Sequence, residues 1–424
     1  MRTTNGTFTA EAAVIGGGPA GLVAAIALSS AGVETLLIAP PIEKPDHRTA
    51  ALLAGSVAAL DTLGVWRTCV PHAALLRHIR LIDDTGRLIR APEVLFSAAE
   101  IDLDAFGYNI ENRHLVAALE AHIGMLKLPR IASSALAVES DANGVTVTYA
   151  GGAARVRLVI GADGRRSLCR AAAGIGTHER AYPQTALTLN LAHARPHDDT
   201  SIEFHTESGP FTLVPLPGRR SSLVCVVDPA RAAALAAVDD AELAAEIERR
   251  AHSLFGTMRV EQSRGVFPLT VETADAVVGR RTALVGEAAH VVPPIGAQGL
   301  NLGLRDGATI AEIVADARRD GLDIGAAGAP SLRDAAPRRR HHPRHRGRPL
   351  EPQPPHRFHA GARRPRPGTL SGRSHRSASP RADARRRCAG RVPAASDARR
   401  ARLKHQFLGS VGAKSGLAGC CRSA

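Results

Sequence analysis

The feature that most narrows what this chain can fold into is the run Val14-Ile15-Gly16-Gly17-Gly18-Pro19-Ala20-Gly21 near its start. Gly16, Gly18 and Gly21 match GxGxxG. The apolar residues 12–15 precede them as a buried strand would, and the small residues 19–31 read as a helix. Residues 34–38 then supply a second strand at the spacing of a βαβ unit. In such a unit Gly16 permits the tight turn, Gly18 lets a pyrophosphate approach the backbone, and Gly21 lets the helix close on the sheet. The amides at the helix N-terminus then bind the phosphates. A glycine-rich turn without a ligand is the plainer reading, but the strand-turn-helix context argues against it. Residues 12–33 also carry no charge over 22 positions, enough to cross a bilayer. The glycines break the helix where a span would have to continue, so neither a span nor a signal peptide is expected. The acid that often holds an adenosine ribose, about 20 residues on, is missing: the strand ends Leu36-Leu37-Ile38-Ala39-Pro40, with Glu43 as a substitute in the loop.

Two further constellations point to the same kind of ligand. Gly161-Ala162-Asp163-Gly164-Arg165-Arg166-Ser167 follows a strand, where an acid beside glycine can accept hydrogen bonds from sugar hydroxyls; an ordinary β-turn is an equal reading. Residues 286–306 run GEAAHVVPPIGAQGLNLGLRD. Pro293 and Pro294 stiffen a loop whose glycines let backbone amides face a ligand, and the next helix points its positive end at it. That geometry favours negative charge, such as the N1/O2 edge of a reduced flavin. His290 reads as a packing or loop-tying residue before it reads as a base.

The rest of the chain alternates between two patterns. Residues 48–63 show helical periodicity, and 112–123, 239–254 and 299–317 are further helices. Residues 78–82 and 87–89 read as a hairpin about the turn 83–86, and 145–149, 156–160 and 282–285 are strands. From 187 to 227 the pattern is antiparallel, with a turn at 217–220. The fold class is therefore α/β, a Rossmann-like nucleotide-binding domain interleaved with a smaller antiparallel-sheet domain.

Charge separates the end of the chain from the rest. Residues 331–424 hold 24 of the 54 Lys and Arg but 4 of the 40 Asp and Glu, leaving 30 basic and 36 acidic residues before them. The net charge of +14 thus belongs to the tail and says little about the body. The tail is rich in Arg, Pro, His, Gly and Ala and has no apolar periodicity, so 330–424 is expected to be a disordered basic tail. It has the composition of a GC-rich gene read out of frame, with a frameshift near 329–334. A genuine tail binding RNA or anionic lipid is the alternative, but interleaved aromatics are lacking and no specific nucleic-acid recognition is expected. Six scattered cysteines suit a reducing cytoplasm and form no zinc spacing.

Taken together the three motifs resemble the group A flavoprotein monooxygenases, nearest to the ubiquinone-biosynthesis hydroxylases with their para-hydroxybenzoate hydroxylase-like fold. Supporting matches are Asp46-His47-Arg48-Thr49-Ala50-Ala51-Leu52, Glu111-Asn112-Arg113-His114-Leu115 and Ser201-Ile202-Glu203-Phe204. The resemblance implies an FAD-binding domain of residues 9–75, 104–180 and 276–320. A substrate-binding sheet domain would comprise 76–103 and 181–275. It implies that Gly16, Gly18, Pro19, Ala20 and Gly21 hold the FAD pyrophosphate, that Arg48 and Asn112 or Arg113 contact the cofactor, and that Asp163 belongs to the second FAD motif. Glu287 stands where the family usually has Asp. Gly299, Leu300 and Asn301 would face the isoalloxazine edge, with Pro294 beside the oxygen-reactive face. NAD(P)H would visit transiently as reductant, O₂ would supply the oxygen atom, and a polyprenylated phenol would be the substrate. Such a greasy substrate favours a cytoplasmic protein docking at the inner membrane face without a span. No catalytic acid or base, metal or oligomeric state is assigned. A reductase or halogenase on the same FAD fold, or a non-catalytic flavin-binding remnant, are the competing readings. For a halogenase, lysine is scarce.

Overall fold

The structure is a computed structural model that describes residues 2–325 apart from 5, 6, 43, 262, 263 and 295. The tail expected at 330–424 and Glu43 lie outside the described residues. After a short strand at Arg2–Thr4 come β1 (Thr7–Ile15), α1 (Pro19–Ser30) and β2 (Thr35–Ile38). Next come β3 (Thr49–Leu53), α2 (Ala54–Thr62), β4 (Ala73–Leu76), β5 (His78–Asp84), β6 (Val94–Ser97), β7 (Gly107–Glu111) and α3 (Asn112–Met125). They are followed by β8 (Arg130–Ile131), β9 (Ala135–Ser140), β10 (Val145–Tyr149), β11 (Gly152–Gly161) and α4 (Leu168–Ala172). Then β12 (Thr177–His193), β13 (Thr200–Thr206), β14 (Gly209–Leu216) and β15 (Arg220–Val227) precede α5 (Pro229–Ala237) and α6 (Asp240–Arg250). The last labelled elements are β16 (Gly265–Ala274), β17 (Thr282–Leu284), β18 (His290–Val291) and α7 (Gln298–Arg319).

The first sheet runs β9-β10-β11-β1-β2-β8, with β17 beside the far end of β11. Its strands β17, β11, β1, β2 and β8 are parallel. Both faces are covered at the carboxyl ends, so residues 12–15 of β1, 36–38 of β2 and 158–161 of β11 are apolar and buried. Along β1, Ala12 and Val14 enter a core with Leu22, Ile26, Leu115, Leu119 and Leu304, while Ala13 and Ile15 enter another with Val145, Val147 and Cys169.

The second sheet runs β18-β16-β12-β15-β14-β13-β5-β6 and is antiparallel except where β13 meets β5. Leu187, Leu189 and Leu191 of β12 face a core completed by Leu235 of α5 and by Leu243 and Ile247 of α6. The alternate residues Ala186, Thr188 and Asn190 face the other way. A small third sheet, β3-β7-β4, is antiparallel.

Three local readings change. The helix expected over 48–63 begins only at Ala54, because Thr49–Leu53 pairs with β7 from Thr49↔Glu111 to Leu53↔Gly107. The hairpin partner of β5 is Val94–Ser97 rather than residues 87–89. The Asp83 carboxylate accepts from the amides of Thr85 (3.1 Å) and Ala91 (2.8 Å), closing the intervening residues into a loop. The helix α5 is additional to those the sequence pattern marks; Pro229 opens it and Asp228 caps it by accepting from the Arg231 amide at 2.9 Å.

Candidate active site

Three adjacent parallel strands end at one level. Ile15 of β1 pairs with Gly161 of β11, and Gly161 pairs with Leu284 of β17. The loops at Gly16, Ala162-Asp163 and Val285-Gly286 therefore leave the carboxyl edge of the sheet side by side, where open α/β sheets take their ligands. Gly16 has φ +117°, and a Cβ there would lie 2.1 Å from the Ala162 carbonyl oxygen. A Cβ on Gly21 would lie 2.2 Å from the Gly16 carbonyl oxygen, whereas one on Gly18 would meet nothing within 4 Å. Gly16 and Gly21 thus answer to packing, and Gly18 leaves the backbone bare toward the cleft.

The N-terminus of α7 comes to the same place through small residues. A Cβ on Gly303 would sit 3.0 Å from the Ala20 side chain, and one on Gly307 would sit 3.3 Å from Ala24. Because Ala20 faces Gly303 and Ala24 faces Gly307, α1 and α7 run parallel at close quarters. Both begin without a side-chain cap, so the first-turn N–H groups of each helix, from Ala20 onward in α1 because Pro19 has none, bring positive partial charge to one end. Asn301 is buried and fully engaged. It donates to the carbonyls of Ala51 (2.7 Å) and Ala297 (2.6 Å) and accepts from the Leu53 amide (2.9 Å), clamping α7 to β3. Gly299 and Leu300 precede it, partly buried, and Pro294 is exposed. His290 Nε2 lies 2.6 Å from Asp306 Oδ2 and ties β18 to α7.

Opposite lies a charged corner. Arg48 donates to Asp46 through Nε (2.9 Å) and Nη2 (2.8 Å), and Asn112 Nδ2 donates to the same carboxylate at 2.9 Å. Burial works against the Asp46 charge, but these bonds outweigh it and hold its pKa below the usual value. The exposed Glu287 carboxylate acts on Arg48 through space and, behind the Asp46 bond, helps to raise its pKa. Asn112 Oδ1 is shielded from water without a protein partner. Asp163 turns inward: Oδ1 accepts from Ser167 Oγ at 2.6 Å and Oδ2 from the Cys169 amide at 3.0 Å, fixing the start of α4.

Arg113 belongs to a neighbouring network that the sequence does not reveal. Its Nε donates to buried Glu111 at 2.9 Å, and Arg220 of β15 reaches the same carboxylate at 3.1 Å and Glu261 at 2.6 Å. Asn109 donates to Ser222 Oγ (3.1 Å) and Asn190 to the His47 carbonyl (3.0 Å), so the third sheet sits against the cleft face of the second. Only tertiary pairing brings these residues together. Their one sequence signal is polarity at positions that alternate with core leucines.

The residues fit a dinucleotide cofactor. A bare glycine backbone lies before an uncapped helix, a second uncapped helix runs parallel to it, and an orphaned buried amide oxygen sits at the charged corner. Fold and loops define an FAD-dependent oxidoreductase of the monooxygenase architecture. The sequence profile of the FAD binding domain family matches residues 9–342. The ubiquinone hydroxylase UbiL of Rhodospirillum rubrum is 36% identical over 328 residues, 75% of this chain and 75% of that protein. The 3-demethoxyubiquinol 3-hydroxylase of Escherichia coli is 34% identical over 328 residues, 73% of this chain and 81% of that one. In fold, p-nitrophenol 4-monooxygenase PnpA from Pseudomonas putida superposes with a TM-score of 0.62 at 22% identity, covering 76% of this chain and 84% of that one. PqsL from Pseudomonas aeruginosa gives 0.65 at 22%, covering 77% and 91%. The chain belongs to the family of FAD-binding monooxygenases.

Proposed function

We propose that this protein hydroxylates the ring of a polyprenylated phenol in ubiquinone biosynthesis, using FAD, NAD(P)H and O₂. The observation that carries the reading is the level ending of β1, β11 and β17, which sets three glycine-bearing loops around one cleft beside the second sheet. The names of the relatives, both hydroxylases of ubiquinone or its precursors, supply the substrate class. FAD held in this cleft would supply the redox chemistry, taking electrons from a nicotinamide nucleotide and activating O₂ toward an electron-rich ring.

The residues of the chain bind, orient and exclude water. In this reading Gly18 and the opening amides of α1 take the pyrophosphate, with Gly16 and Gly21 shaping the turn. Gly299 and Leu300, at the start of α7, offer amides where negative charge gathers on the ring system. Asn112 Oδ1 accepts a hydrogen bond from the cofactor. Arg48 and Glu287 flank the cofactor, and Asp163 holds its loop in place from behind. Arg113 steadies the junction between the cofactor domain and a substrate-binding domain built on the second sheet. Pro294 stiffens the wall nearest the reacting ring.

Peripheral contact with a lipid surface belongs to the same proposal. Among the described residues no helix is long and apolar enough to cross a membrane. The loop after β5 carries Leu88 at 100% and Ile89 at 88% exposure, and the edge strand β6 carries Leu95 and Phe96 at 55% and 43%. Arg87 and Arg90 flank the two most exposed residues, an arrangement suited to an interface between acyl chains and headgroups.

The deciding assay uses the FAD-loaded protein with NADPH, O₂ and 2-geranylphenol. A product heavier by one oxygen atom, formed in proportion to NADPH consumed, is expected. NADPH oxidation that yields only hydrogen peroxide and leaves the phenol unchanged would overturn the reading.

A further inference from the structure

The cleft face of the second sheet carries a hydroxyl that makes no hydrogen bond within the protein. Thr188 of β12 lies in register between Val224 of β15 and Gly265 of β16. Ala186, Val226 and Leu269 form a small buried cluster on this side, with Val224 and Tyr182 packed against it. Thr188 Oγ1 is shielded from solvent and has no hydrogen-bond partner, and it is the one hydroxyl in that state among the described residues. A buried donor left unpaired is disfavoured, so the hydroxyl calls for a partner from outside the protein, a water or a ligand.

The side chain beside the hydroxyl is Phe267. A Cβ on Gly265 would lie 2.4 Å from Phe267 Cε2 and 3.1 Å from Thr188 Oγ1. The ring is therefore folded back over the glycine and against the hydroxyl, in a place that any larger residue at 265 would fill. The Arg48 guanidinium stands 5.6 Å from the centre of the same ring, which connects the hydroxyl to the charged corner of the cofactor cleft. We propose that Thr188 Oγ1 is the hydrogen-bond partner of the substrate's ring hydroxyl, in a slot that opens when Phe267 turns off Gly265. The proposal rests on the phenol reading above and narrows it. Ala186, Val224, Val226, Leu269 and Phe267 bring no charge to the slot, Arg48 is already bonded to Asp46, and Arg180 stands 5.2 Å over the ring of Tyr182. A neutral, unpartnered hydroxyl beside apolar side chains suits an uncharged alkylphenol.

The test titrates the FAD-loaded protein with 2-geranylphenol and with geranylbenzene, following the flavin absorbance. The parent is expected to prefer the phenol by roughly tenfold, the scale of one net hydrogen bond. Thr188→Val, which keeps the branched shape, should lose that preference while retaining flavin and thermal midpoint, and Thr188→Ser should restore it. A Thr188→Val protein that still prefers the phenol overturns the proposal and leaves the hydroxylase reading standing. A parent that binds and hydroxylates no phenol overturns both. Phe267→Ala should speed phenol binding in stopped flow, and an unchanged rate would remove the gate from the proposal.

Discussion

At the scale of single residues, the glycines of the first loop have separable roles. Gly16→Ala places a side chain at φ +117° against the Ala162 carbonyl and should cost about 1–3 kcal/mol from the backbone alone, before the overlap is counted. Gly18→Ala meets nothing within 4 Å, so its thermal midpoint without cofactor should match the parent while FAD binds roughly tenfold more weakly, or about 1.4 kcal/mol. Equal losses of stability in both variants would show that Gly18 is a packing glycine too. Histidine sets a second residue-scale expectation. Buried His193 lies 2.7 Å from the Arg195 carbonyl through Nδ1 and 3.0 Å from Ser221 Oγ through Nε2. Burial lowers its pKa, and burial likewise lowers those of His114 and His122. Each protonates more readily in the unfolded chain, whose histidines titrate near about 6.5. Their stabilisation is whole above that pH and drains away as pH falls below it toward the lowered folded values. Calorimetry should show the melting temperature dropping between about pH 7 and pH 5; a flat profile contradicts the sign. The loop glycines were legible because their jobs are written in local spacing. Thr188, Phe267 and the Glu111–Arg220 pair were not, because each takes its meaning from a strand far away in sequence.

At the scale of elements, α1 and α7 pack through Ala20, Ala24, Gly303 and Gly307. Gly307→Leu should force the pair apart and destabilise by about 1–3 kcal/mol, the range for overpacking. Bound flavin should be lost along with helix contact, and a variant that keeps both its flavin and its midpoint would refute close packing as the reason for glycine. The sequence made α1 and α7 readable because each follows a strand and a glycine loop, and the strands β10, β11 and β17 because their apolar runs are bounded by turns. It misplaced the start of α2 because the pairing of β3 with β7 overrides a periodicity that suits a helix equally well. The partner of β5 was misassigned because the Asp83-closed loop is longer than a tight hairpin turn. Both errors involve antiparallel contacts whose register is decided by tertiary packing.

At the scale of the whole molecule, the proposed lipid contact predicts behaviour that no local site reports. The protein should sediment with vesicles of phosphatidylethanolamine and phosphatidylglycerol. Leu88→Asp combined with Ile89→Asp should weaken that association about tenfold or more while leaving turnover of a short-chain phenol in detergent unchanged. Equal sedimentation of parent and variant would move the contact elsewhere or abolish it. The parallel pairing of α1 with α7 has a different consequence, for synthesis. The two helices that meet at the cofactor cleft begin at residues 19 and 298, so a chain emerging from the ribosome holds half of its flavin cradle long before the other half exists. Until α7 is out, the apolar flank of α1 has no permanent cover, and a nascent chain stopped short of residue 298 should capture no FAD and lean on chaperones.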